Sequence, residues 1–326
     1  MTSTAAKLGA YALGLVAVFG ATAGLGAAVG PVGPAAATHD TATHTELDME
    51  PGMDTNTPQA SDTQLPGGLQ ISEGGYTLDV ADQLPAGTAT PVSFRIIGPD
   101  GQPVTAYDKA HDEDLHLIAV RRDMSGYQHV HPQLAANGTW SIPLDLTAGT
   151  WRLFADFDPA GDDAALVLGA DVAVAGDYAP QPLPAPSTTA EVDGYTVTLD
   201  GTLVAGQGSQ LTLSVSRDGK PVTDLQPYLA AYGHLVALRD GDLAYLHVHP
   251  GGEPGDGTTA PGPDIDFHAT APSAGDYRLF LDFKHGDVVR TAEFTVHVGD
   301  SAAAPTSAAP APGAADDHGD ADHAHG

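Results

Sequence analysis

Two short stretches carry the residues of this chain best suited to chemistry. Leu115-His116-Leu117 is followed by His129-Val130-His131-Pro132, and His234-Leu235 is followed by His247-Val248-His249-Pro250. Each His-Val-His-Pro has a further histidine thirteen residues upstream of its first histidine, and the copies are offset by 118 residues. Asp100-Gly101-Gln102-Pro103-Val104 and Asp218-Gly219-Lys220-Pro221-Val222 keep the same offset, so the chain is internally duplicated. On a strand, histidines at i and i+2 face the same side, roughly 7 Å apart at the backbone. Two imidazoles so placed converge on one ion at about 2.0–2.1 Å.

The upstream histidines join them if the strands pair. Asp240-Gly241 between apolar runs predicts a tight hairpin that sets His234 opposite His247. Equal spacing sets His116 opposite His129. A register slip of two residues leaves the upstream histidine on the same face, and a slip of one removes it. The sequence therefore predicts two sites, His116 with His129 and His131, and His234 with His247 and His249. Three neutral imidazoles with an open position suit Cu(II) or Zn(II). His111-Asp112-Glu113-Asp114 adds a candidate fourth ligand and an acidic mouth to the first site. The second has Leu229 at the position of His111, with Tyr228 and Tyr232 nearby. The competing reading is that strand-end histidines hydrogen-bond a carbonyl or carboxylate. His268, His285 and His297 stand alone and read as structural. Because Val130 and its alternates supply the core face, losing His129 and His131 is expected to leave the metal-free fold nearly unchanged.

Composition narrows the chemistry. The 326 residues suffice for two domains plus tails. With 42 Asp+Glu against 12 Lys+Arg, the net charge of −30 repels phosphate backbones and concentrates cations, so nucleic acid is not an expected partner. The absence of cysteine excludes disulfides, thiolate metal sites and Cys nucleophiles. Soft-metal chemistry must then come from His, Met and carboxylates. There is no His-Glu-x-x-His, Gly-x-Ser-x-Gly or Gly-rich phosphate loop, so no enzyme is expected.

The elements that must position the histidines are strands. Tyr76, Leu78 and Val80 alternate with polar residues, as do Val92, Phe94 and Ile96. Leu115–Val120 is nearly all apolar, as in a strand covered on both faces. Trp140, Ile142 and Leu144, then Trp151–Phe154 and Leu166–Val174, complete about seven strands between Gly, Pro, Asp and Asn turns. The predicted fold is all-β, two tandem immunoglobulin-like β-sandwich domains over 69–176 and 191–299, with a Pro-rich linker at 177–190. Ser273-Ala274-Gly275-Asp276-Tyr277 has the form of a tyrosine-corner turn. Ahead of them, Leu8–Gly30 carries no charge and as a helix would be about 35 Å long. It reads as a transmembrane anchor within 1–30, holding the chain to the cytoplasmic membrane in a single pass with the sandwiches outside. Ala35-Ala36-Ala37 offers a cleavage site, and a removed signal segment with a secreted product is the competing reading. Residues 31–68 read as a disordered linker carrying His39, His44, Met49 and Met53. Residues 300–326 read as a disordered tail whose His318, His323 and His325, set among aspartates, are candidate metal ligands.

The pattern of a His-Leu strand, a hairpin, His-Val-His-Pro and Gly-x-aromatic-Arg-Leu-Phe-x-Asp-Phe is carried by Leu115–Pro132 with Gly149–Phe157, and by His234–Pro250 with Gly275–Phe283. It is similar to exported bacterial proteins, actinobacterial in type, described as heavy-metal-binding or hypothetical secreted proteins. That resemblance implies an envelope role near metal handling, with copper one candidate. The expected function is a membrane-anchored extracytoplasmic binder of copper or zinc, acting as buffer or chaperone. The alternative is a surface interaction or adhesion protein with sandwiches as spacers and structural histidines. No protein partner is legible.

Overall fold

A computed structural model of the chain describes residues 65–162, 165–246 and 248–299, all within one compact unit spanning Asp62–Gly326. The expected membrane segment Leu8–Gly30 and the tail histidines His318, His323 and His325 lie outside the described residues. Among the described residues no helix is long and apolar enough to cross a membrane.

The described chain is all strand and turn, as predicted. The first sandwich holds β1 (Ser72–Glu73), β2 (Tyr76–Val80), β3 (Gln83–Leu84), β4 (Gly87–Ile97), β5 (Tyr107–Asp108), β6 (His116–Arg121), β7 (Gln128–Val130), β8 (Gln133–Leu134), β9 (Trp140–Leu146), β10 (Gly149–Pro159) and β11 (Leu166–Val174). One sheet runs β1-β2-β4-β9-β8 and the other β3-β11-β10-β6-β7, with β5 on β10. The second holds β12 (Thr189–Val192), β13 (Tyr195–Asp200), β14 (Gly208–Arg217), β15 (Lys220–Pro221), β16 (Gly233–Arg239), β17 (Tyr245–Leu246), β18 (Val248–Pro250), β19 (Asp264–Thr270), β20 (Gly275–His285) and β21 (Val288–Val298). Its sheets run β12-β13-β14-β19-β18, with β15 on β14, and β17-β16-β20-β21.

Period-two alternation builds each core. Leu78, Phe94, Ile96 and Trp140 from one sheet meet Leu117, Leu153, Phe157 and Leu168 from the other. Tyr195, Val197, Leu213 and Phe267 meet Leu235, Leu279, Leu281 and Phe294 in the second sandwich. The Tyr277 hydroxyl donates to the Ser273 carbonyl at 2.8 Å, the corner contact its sequence suggested. At the equivalent place in the first half, Trp151 Nε1–H donates to the Thr147 carbonyl at 2.8 Å.

A third core joins the sandwiches. The strand residues facing away from each sandwich's own core, Ile118 and Val120 on β6 and Val236 and Leu238 on β16, pack together with Met124, Phe154, Leu243, Tyr245 and Phe280. This second covered face explains why β6 is buried along its whole length. Burying one such Leu, Ile or Phe side chain is worth roughly 1.5–3 kcal/mol. The contacts are reciprocal. Tyr127 of the first sandwich stacks on Phe280 of the second, centroids 4.0 Å apart, while Tyr245 of the second meets Phe154 of the first at 5.8 Å. Tyr127 and Tyr245 are equivalent residues, as are Phe154 and Phe280, so the joint is approximately two-fold. The Pro-rich segment lies along it: Gln181 N–H donates to Asp123, Leu183 packs on the third core, and Ser187 N–H donates to the Thr295 carbonyl.

Candidate metal centre

The hairpins differ from prediction by two residues of register. Leu117 pairs with Val130 and Ile118 with His129, which brings His116 level with His131 instead of His129. Ala237 pairs with Leu246 by the same rule. The cause lies in the turns. The predicted Asp240-Gly241 centre gives way to a wider loop in which Arg239 N–H donates to the Ala244 carbonyl. Asp242 holds that loop by accepting from Ala244 N–H and from the Arg239 side chain. Asp123 does the same for Arg121 and Ser125 in the first sandwich. A slip of two keeps the side-chain face, and His116 stays with its partners.

His116, His129 and His131 place one ring nitrogen each within 4.8 Å of the others. His116 Nδ1 lies 3.0 Å from His129 Nε2 and 3.2 Å from His131 Nε2. Nitrogens sharing a tetrahedral ion at 2.0–2.1 Å sit about 3.3 Å apart, so these two spacings match. The outer nitrogens are anchored. His116 Nε2–H donates to the Ala110 carbonyl at 3.0 Å, on a turn where Ala110 and Glu113 exchange backbone hydrogen bonds. His129 Nδ1 lies 2.8 Å from Asp282 Oδ2, a residue of the second sandwich. Thr291 donates to the other Asp282 oxygen at 2.6 Å. The chain imidazole–carboxylate is the device that fixes ring orientation at metal sites.

The geometry allows two ways to fill the centre. A carbonyl only accepts, so His116 carries its proton on Nε2 and turns a lone pair inward. If Asp282 is ionised, His129 carries its proton on Nδ1, and its Nε2 lone pair faces that of His116 across 3.0 Å; a cation between them resolves the clash. If Asp282 is protonated, its O–H donates to His129, His129 Nε2–H donates to His116, and a proton takes the cation's place. Burial favours neutral groups here. It pushes Asp282, 2 % exposed, up to about 7, with the Thr291 bond opposing. It pushes His116, 3 % exposed, down to about 4, and His129 well below its usual range. Neutral imidazole is the ligand form.

Other expected ligands fall in different places. His234 stands with the first-sandwich histidines, its ring 4.8 Å from His129, 5.5 Å from His116 and 5.5 Å from His111. Its Nδ1 is buried without a hydrogen-bond partner, a defect costing about 1–3 kcal/mol. The predicted grouping of His234 with His249 is thereby overturned: His249 is exposed on β18, opposite His268 on β19, in the other sheet of its sandwich. The side chain of His247 lies outside the described residues. His111 is half-buried at left-handed φ in the turn beside Ala110, 6.1 Å from the His116 ring. Leu229, its counterpart, occupies the same kind of turn. His285 and His297 have structural partners in Tyr195 with Asp224, and in Asp276.

Sequence reasoning missed the carboxyls. Asp282 and its counterpart Asp156 occupy the same place in the Phe-x-Asp-Phe of each half, a carboxyl directly flanked by apolar residues. Each is the cross-strand neighbour of an upstream histidine, Asp156 of His116 and Asp282 of His234. Asp156 accepts from the Tyr245 hydroxyl at 3.3 Å, across the joint, and burial pushes it up to about 7.

No curated protein matches the chain. Among solved structures, a DUF4426 family protein from Pseudomonas aeruginosa is 9% identical over 34% of this chain and 96% of its own, with a TM-score of 0.24. Yersinia pseudotuberculosis InvD is 14% identical over 74% of this chain and 62% of its own, at 0.22. The D00-D0 domain of intimin is 10% identical over 69% and 100%, at 0.22. Overlap this slight transfers neither ligand nor partner. One family description matches the chain twice, over residues 70–174 and 190–300, and so spans both halves of the duplication: the chain belongs to the family described as Domain of unknown function (DUF8832).

Proposed function

We propose that this protein binds a transition-metal ion, copper or zinc, at His116, His129 and His131, and serves outside the cytoplasm as a metal buffer or chaperone rather than as an enzyme. One observation carries the reading: three imidazole nitrogens converge while the outer nitrogens of His116 and His129 are held by a carbonyl and a carboxyl. The extracytoplasmic placement rests on the apolar Leu8–Gly30 run. The test is a titration of the metal-free chain with Zn(II) and Cu(II), followed by thermal unfolding. Saturable binding that raises the unfolding temperature, and that H129A/H131A removes, supports the reading.

A second reading is a surface interaction protein whose histidines are structural. It is favoured by the His129–Asp282 contact, which ties the two sandwiches directly and is satisfied by a proton alone. The same titration separates them, since structural histidines give no metal-dependent shift.

A further inference from the structure

We propose that the second sandwich is a working part of the metal centre: His234 supplies a fourth nitrogen, and the bound ion clamps the two sandwiches together. This rests on the metal-binding reading above. His234 is the duplicate of His116, and the approximate two-fold joint returns it to the same spot from the opposite side. Its ring borders the trio, closest to His129 at 4.8 Å between centroids. Its Nδ1 is buried and has no hydrogen-bond partner, the condition of a ligand atom awaiting its ion. Little backbone freedom opposes this placement. Gly233 leaves only 2.9 Å between a notional Cβ and Ile265, and β16 is paired with β20 along its length.

Charge balance supports a divalent ion. Four neutral imidazoles leave a charge of +2 in a buried site, and such a charge needs compensation. Two carboxyls flank the centre as cross-strand neighbours of His116 and His234, Asp156 from one sandwich and Asp282 from the other. Asp282 contacts His129 and not the ion, so it is a positioning residue whose carboxylate orients that ring.

The test uses the full chain and Zn(II) alone. Affinity is measured by chelator competition for wild type, H234L, D282N and H129A/H131A, the last giving the background from histidines elsewhere. X-ray absorption counts the imidazoles, and amide exchange with and without zinc reads the clamp. The expected results are four imidazoles in wild type and three in H234L, with a dissociation constant at least tenfold higher in H234L and about 10–100-fold higher in D282N. Zinc should slow exchange in both β6 and β16 of wild type, but only in β6 and β7 of H234L. Metal-free unfolding of H234L is measured first; if that variant has lost its fold, H234Q is read in its place. Unchanged affinity, imidazole count and exchange in the His234 variant overturn the clamp while leaving the three-histidine site standing. Zinc binding by wild type no stronger than by H129A/H131A overturns both.

Discussion

The two His-Val-His-Pro strands share a sequence and meet different fates. In the first sandwich the strand stays with β6 through Val130 and crosses to the opposite sheet only at β8, where Gln133 pairs with Ser141. In the second it leaves β16 after Leu246, and Val248 already pairs with Ala269 of β19. The crossing comes earlier, so His131 stays half-buried while His249 emerges on the surface. The halves are offset by 118 residues from Asp100 through this motif and by 126 from Gly275 onward, so the second carries eight extra residues between Pro250 and Gly275. Most of them fall in the Gly-rich loop between Pro250 and Asp264. Site residues are thus decided less by the motif than by where its strand changes sheets.

The largest expected effect concerns the joint. F280A should cost about 3–5 kcal/mol in urea unfolding. F154A should cost less, because Phe154 meets Tyr245 at 5.8 Å and 49° where Phe280 stacks on Tyr127 at 4.0 Å and 3°. Equal losses would mean that the joint is energetically symmetric. Next comes the contrast between strands. At a hundredfold excess over its dissociation constant, metal should stabilise wild type by about 2.7 kcal/mol. H129A/H131A should lose that gain in thermal unfolding, and H249A should keep it. The double variant should also lose about 1–3 kcal/mol without metal, since Asp282 forfeits a buried partner. The contact thus revises the expectation of an unchanged metal-free fold.

A further effect is the pH profile of binding. Three free imidazoles would give a slope of three protons per ion below pH 6.5. Here the His116 proton enters only near pH 4, and Asp282 holds its proton up to about pH 7. With Asp156 likewise protonated up to about pH 7, zinc uptake should release two protons between pH 7 and 5, one from each flanking carboxyl, and the dissociation constant should rise about a hundredfold per unit as pH falls. Calorimetry in buffers of different ionisation enthalpy reads the protons, and D282N should remove one of the two. A slope of three would show that the trio is open to water.

The last effect is at Asp156. Its folded pKa, about 7, lies above the unfolded 3.8. Its contribution is fully present below the unfolded value and is lost as pH rises through about 7. D156N should then stabilise the metal-free protein relative to wild type most at pH 8, less at pH 5 and little below the unfolded value, as followed by thermal unfolding. Equal effects at both pH values would place the change in packing and not in charge.

Much of the fold was legible because alternation is local. Leu78, Phe94 and Ile96 point inward as their spacing predicts, and the apolar Leu115–Val120 run reports a strand covered twice. What covers its second face is not local information, since Val236 and Leu238 lie more than a hundred residues away. The trio survived a wrong register because a slip of two preserves the face. The grouping of His234 failed because sequence shows the histidines but not the sheet change that parts them. Asp156 and Asp282 did carry a signal, a carboxyl flanked by apolar residues at the same place in both copies.

Joining both halves in one chain has a consequence for what each half is free to become. In a dimer of identical sandwiches every substitution at the joint would appear twice, and a ligand gained or lost on one side would be gained or lost on the other. Covalent linkage removes that constraint. Leu229 stands where the first half has His111, and a longer loop stands where the first half turns tightly. One half can keep its ligands while the other drifts toward support, so a single chain reaches an asymmetric division of labour that an oligomer of equal subunits cannot encode.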